Sequence, residues 1–206
     1  MIDSPNKTPQ VQRSLYAFFQ TEIARLSSEL GNPAPAHTQV YLAGVLFRFS
    51  NTQELFRTTK SGLDEEPLAF ILKRALESND EERVRVLKYL GDIALYKSGF
   101  FADRIERQGL DLDYYINMGG MAYENVSNLS SKRLLGSRFR ELYASLACHF
   151  EDLVDVITEL VVRSQLGSPE GIMKLYKRWE RTRCDRLARK LTKLGFVLQP
   201  AKGSLN

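Results

Sequence analysis

The chain has 206 residues, 43% hydrophobic and 26% charged, with two cysteines, two histidines and a formal net charge of +4. This composition excludes disorder, collagen and a disulfide scaffold, and two cysteines without a CxxC pair exclude a zinc cluster. A chain of this length can bury about 70% of its unfolded surface without metals or crosslinks.

The first nine residues read as a flexible lead and residues 199–206 as a flexible tail, around one helical domain at 10–198. The opening segment MIDSPNKTPQVQRS lacks the basic-then-apolar layout of a secretory signal. A cytoplasmic, reduced protein is therefore the expectation. Apolar residues recur at helical spacing almost throughout, with little of the alternation that marks strands. An all-α, single-domain bundle of about seven helices follows, ending in a long antiparallel pair.

The first helix is expected from about Gln10 to Leu30, with Leu15, Phe18, Phe19, Ile23 and Leu26 on one face and Gly31 as its stop. The second begins near Thr38, carries Tyr41, Leu42, Val45, Leu46 and Phe49, and extends toward Phe56. Its longest continuous apolar run, Val40 to Phe47, is too short to cross a bilayer. A third helix spans about Leu63 to Leu76, with Pro67 in its first turn, where proline is tolerated.

The fourth helix opens at Ser78-Asn79-Asp80-Glu81, whose polar cap and acids suit a helix N-terminus. Its apolar arc, from Leu87 and Leu90 through Ala94 and Leu95 to Phe101 and Ile105, is widened by Val86, Ile93 and Phe100 to more than half the circumference. That width predicts a central helix. Asp92 lies on its narrow polar side, four residues from Lys88 and from Tyr96. A local ion pair with Lys88 accounts for it; the functional reading is a polar group lining a pocket beside Tyr89 and Tyr96.

A turn at Gly109, with Asp111 or Asp113 as cap, leads to a fifth helix from about Tyr114 to Leu129, with Tyr115, Met118, Ala122, Val126 and Leu129 inward. Within it, Gly119 and Gly120 together cost about 2 kcal/mol of helix propensity. Close helix contact, a kink, or room for a flat ligand would compensate, and the flanking tyrosines and methionines suit an adaptable apolar cavity. The segment lacks the spacing of a phosphate loop.

The sixth helix is expected to run unbroken from about Ser131 to Gln165, with Leu135, Phe139, Leu142, Tyr143, Leu146, Phe150, Leu153, Val154, Ile157, Leu160 and Val161 on one face. Glu141, Cys148, Asp152, Asp155 and Glu159 lie opposite. His149 stands at the edge of the apolar stripe, where it reads as a core-edge residue before it reads as a general base or haem ligand. The acids resemble a carboxylate set for metal, but the Glu-x-x-His pairs of a di-iron bundle are missing. No catalytic residue, metal site or cofactor is assigned.

The seventh helix, from Ser168-Pro169 to about Leu194, holds the basic charge. Residues 169–206 carry ten lysines and arginines against three acids, a net +7, and leave a net −3 on the rest. Folding back at Gly167 would set Lys174, Arg178 and Arg181 beside Glu159, Asp155 and Asp152, so much of the basicity has an internal complement. The same register sets Cys148 near Cys184 or Asp185. Arg186, Arg189, Lys190 and Lys193 remain for an anionic partner.

The stretches LGDIALYKSGFF, DYYINMGG and LARKL resemble segments of uncharacterised helical bacterial proteins. The resemblance implies an all-helical fold and no activity. Three functions stay open. The first is a non-enzymatic helical interaction or regulatory module with a protein partner or a second copy of itself. The second is a ligand-binding or enzymatic bundle whose pocket uses Asp92, Tyr96, Tyr115, Gly119, Gly120 and His149. The third, less favoured, is nucleic-acid binding through the last helix.

Overall fold

Local capping rules fix most helix ends in the computed structural model, which describes residues 9–31, 34–51, 66–131 and 137–164, and nine positions between 176 and 198. These residues form eight helices and no strand: an all-α, single-domain bundle. α1 (Pro9–Glu29) buries the five expected apolar residues and stops at Gly31, whose φ of +79° is the left-handed conformation that glycine adopts without strain. α2 (Ala36–Asn51) starts two residues before Thr38; its expected extension to Phe56 lies outside the described residues. α3 (Leu68–Glu77) begins after Pro67, which occupies the N-cap rather than the first turn.

α4 (Asp80–Phe100) opens as its sequence requires. The Asn79 side chain accepts hydrogen bonds from the backbone N–H groups of Glu81 and Glu82, satisfying two donors that the first turn leaves unpaired. The turn before it is closed from the other side. The Arg83 guanidinium donates to the carbonyls of Ala75, Leu76 and Ser78 at 3.0 to 3.1 Å, covering the acceptors at the end of α3. Arg83→Met keeps the aliphatic stem and removes those bonds. Urea unfolding of the variant should show a loss of about 1–2 kcal/mol.

The fourth helix ends earlier than its apolar arc implies. Phe101 (φ −122°, ψ 19°) leaves the helical region, and Ala102–Arg107 forms a separate short helix, α5. α6 (Leu112–Ser131) follows Gly109, and Asp111 supplies the cap by accepting from the N–H of Asp113. The long sixth helix of the sequence reading is two helices, α7 (Ser137–Cys148) and α8 (Phe150–Ser164), and Ser131 belongs to α6. The interruption at His149 is shallow. His149 N–H still donates to Ser145 and its carbonyl accepts from Leu153, so the apolar stripe continues across the break.

α4 is the axis of the bundle. It packs on α6, α3, α8 and α2, and every residue from Leu90 to Phe100 is buried. Three glycines set how closely its neighbours approach. A Cβ on Gly91 would lie 2.4 Å from the Tyr123 ring, one on Gly99 would lie 2.5 Å from Ile157, and one on Gly119 would lie 2.2 Å from the Phe150 ring. α1 joins α8 through Glu29, which accepts from Arg163 at 2.5 Å and from Arg25 at 2.6 Å.

Of the seventh helix, Tyr176, Trp179 and Leu191 are buried, as is Phe196 beyond it, and Phe196 stacks on Phe18 of α1 with ring centres 4.5 Å apart. Lys174, Arg178 and Arg181, and with them the expected pairing against Glu159, Asp155 and Asp152, lie outside the described residues.

Candidate functional site

The centre of the bundle holds one buried carboxylate among the described residues, Asp92, with a side chain only 5% exposed. An ionised carboxyl offers acceptors only, and burial obliges each of them to find a donor. Four elements of chain supply them. Oδ1 accepts from the Tyr41 hydroxyl of α2 at 2.6 Å and from the Tyr123 hydroxyl of α6 at 2.8 Å. Oδ2 accepts from Arg48 Nη2 of α2 at 2.7 Å and from Lys88 Nζ, one turn back on α4, at 2.9 Å. Since Tyr41 spends its proton on Asp92, the Tyr143 hydroxyl of α7, 3.3 Å away, is the donor in the contact between the two tyrosines.

The two oxygens face different surroundings. Tyr123 is fully buried and Tyr143 nearly so, whereas Arg48 has half its side chain in solvent and Lys88 just under a third. Oδ1 therefore points into the aromatic interior and Oδ2 toward a cationic rim. Tyr41 lies between, its ring centre 5.4 Å from Lys88 Nζ and edge-on to the rings of Tyr123 and Tyr143. Short bonds to an ionised group, in a setting of low dielectric, make this the strongest polar network in the described structure.

Burial, and after it the charge on Asp92, drives the Tyr41 and Tyr123 phenols far above their ordinary range; burial pushes Tyr143 up to about 12. The folded state therefore keeps protons that an unfolded tyrosine releases near pH 10. Stability from this source is complete below pH 10. It declines as pH rises from there toward 12 for Tyr143 and through the whole alkaline range for the other two. Each phenol contributes up to about 1.4 kcal/mol per pH unit. Tyrosinate absorbance should show these phenols ionising only with the loss of helical circular dichroism.

The ion pair with Lys88 is the one read from sequence. Tyr96, expected beside Asp92, instead stacks on Phe49 at 4.6 Å and packs on Phe100 and Phe101. Tyr115 is half-buried against the neighbouring Tyr114 ring. At Gly119 the space is taken by Phe150 and the Ala94 methyl, so close helix contact is what compensates the glycine there; Gly120 has its nearest neighbours, in α7 and α8, at 3.9 Å.

His149 sits at the junction of α7 and α8, with Nδ1 3.1 Å from Asp152 Oδ2. This ion pair, three residues apart, is separate from the Asp92 network. Asp155, on the same acidic face, has its carboxyl raised by burial and by the charge of Asp152. No group of three or more metal-ligating side chains occurs among the described residues. Cys148 is exposed; Cys184 and Asp185 lie outside the described residues. Arg189 is exposed, while Arg186, Lys190 and Lys193 also fall outside. No helix among the described residues is long and apolar enough to cross a membrane.

No protein-family model, curated protein or solved structure matches the chain. The tyrosines are what sequence reasoning missed. Tyr41 and Tyr143 fall in apolar stripes, and Tyr123 falls in none. The signal that points to them is the carboxylate itself: an acid on the most buried helix demands donors, and tyrosine is the side chain that brings a hydroxyl into an apolar interior.

Proposed function

We propose that the chain is a non-enzymatic helical interaction module, held in shape by the Asp92 network. One observation carries this reading: all four strong acceptor directions of Asp92 are occupied by the protein's own donors at 2.6 to 2.9 Å. A general base or metal ligand needs a free lone pair aimed at its substrate. A carboxylate bonded to α2, α6 and its own helix instead fixes how those helices meet, the role in which satisfied buried polar networks specify one packing.

α3 is the element best suited to contact a partner. It docks on α4 through Leu68, Ile71 and Ala75, while Phe70 and Leu76, both large and apolar, stay more than half exposed. Aromatic and aliphatic residues in such positions are the usual anchors of an interface.

Native mass spectrometry over a range of protein concentrations tests the proposal. Self-association is expected, and Phe70→Ser with Leu76→Ser should reduce it without lowering the melting temperature. A monomer carrying a stoichiometric metal or organic cofactor would overturn the reading in favour of the ligand-binding bundle.

A further inference from the structure

The outer rim of the Asp92 network is built to hold a small anion, and this inference is independent of the interaction module. Arg48 Nη2 and Lys88 Nζ both bond the same oxygen, Asp92 Oδ2, at 2.7 and 2.9 Å. The two nitrogens are therefore at most about 5.6 Å apart, a span that one tetrahedral oxyanion bridges with hydrogen bonds of ordinary length. Each cation keeps donor capacity and exposure for such a ligand. The Asp92 bond uses one N–H of the five in the guanidinium fork and one of the three on the ammonium, and the side chains are 51% and 29% exposed. Asp92 itself is turned inward, so its charge lies behind the cations rather than in front of them.

The helix surface beside the cations is open. Tyr41, Gly44 and Arg48 follow one another at spacings of three and four on one face of α2, and Tyr41 and Arg48 both reach Asp92. Gly44, between them, has no atom within 4 Å of the place where a Cβ would stand. This glycine differs from Gly91, Gly99 and Gly119, whose missing side chains are replaced by a neighbour's. At Gly44 the missing side chain leaves a notch, floored by helix backbone and flanked by a phenol and a guanidinium, with the Lys88 ammonium beside the same phenol.

We propose that this notch binds a phosphoryl group, as inorganic phosphate or the phosphate of a small monoester. Two cations at this spacing suit a dianion, and a tetrahedral group offers three oxygens to donors converging from two helices.

Thermal unfolding at constant ionic strength, with inorganic phosphate, a short alkyl phosphate or a dicarboxylate replacing chloride, is the test. Phosphate and the alkyl phosphate should raise the melting temperature saturably, while the dicarboxylate should not. A shift with phosphate alone would identify the free ion as ligand; a shift with the monoester as well would admit phosphorylated metabolites. Lys88→Met should weaken the apparent phosphate affinity at least about tenfold.

Because that variant also disturbs Asp92, Gly44→Leu provides the second arm. Nothing near Gly44 opposes a side chain and leucine favours helix, so the variant should melt no lower than the parent yet lose the phosphate response. A phosphate shift that survives Gly44→Leu, no shift in the parent chain, or an equal shift with the dicarboxylate overturns the proposal.

Discussion

Asp92→Ala is expected to cost about 3–5 kcal/mol of folding free energy, the loss typical when one member of a buried charged network is removed and its partners stay behind. The stranded groups determine its size. Tyr123 would keep a fully buried hydroxyl with no acceptor, Tyr41 would lose the strong partner of its proton, and Arg48 and Lys88 would face each other across an empty site. The exposure of Arg48 and Lys88 moderates the electrostatic part, since water reaches both heads. Most of the cost therefore comes from the interior oxygen. Tyr123→Phe should lose about 1.5–3 kcal/mol, as expected for a hydrogen bond to a charged group, and Tyr143→Phe no more than about 1 kcal/mol, because its 3.3 Å bond goes to a neutral hydroxyl. Equilibrium urea unfolding gives this order directly. A Tyr143→Phe loss equal to that of Asp92→Ala would show that the network does not centre on the carboxylate.

The second large effect separates two adjacent glycines. Gly119→Ala places a methyl 2.2 Å from the Phe150 ring and 2.9 Å from the Ala94 methyl. Phe150 is itself buried, and its ring packs on Tyr123, so it has little room to retreat. Overpacking of this kind costs about 1–3 kcal/mol, enough to outweigh the gain in helix propensity of about 1 kcal/mol. Gly120→Ala meets nothing closer than 3.9 Å and should stabilise by nearly the full propensity gain. Opposite signs at neighbouring positions are the expected result of thermal or urea unfolding. Phe150→Leu combined with Gly119→Ala should recover part of the loss, because the shorter side chain removes the clash at the ring tip.

These same residues show where the sequence was legible. The paired glycines in α6 announced that something compensates a helix of low propensity; only the structure shows that the contact falls on Gly119 and spares Gly120. The width of the apolar arc identified α4 as central, and its Asn79 cap was readable because caps are local. Lys88 was readable as a partner of Asp92 for the same reason, being one turn away.

Tyr41, Arg48 and Tyr123 were not readable, since 51, 44 and 31 residues separate them from Asp92 and no local pattern encodes which helices meet. The division of the long helix at His149 escaped detection because hydrogen bonding and apolar spacing both continue through it. At Phe101 the apolar arc likewise hid a change of direction that the backbone makes without proline or glycine at the turning residue.

The stacking of Phe18 on Phe196 has a consequence for biosynthesis. About 180 residues separate the two rings, which at about 5–20 residues per second is roughly ten to thirty-five seconds of translation. Throughout that interval Phe18 waits on the emerging chain without the ring that covers it. Helices α3 to α8 can assemble around α4 in the meantime, but this face of α1 is sealed only at the end of the process. A nascent chain stalled before Phe196 would present that aromatic side chain to chaperones or to other stalled copies.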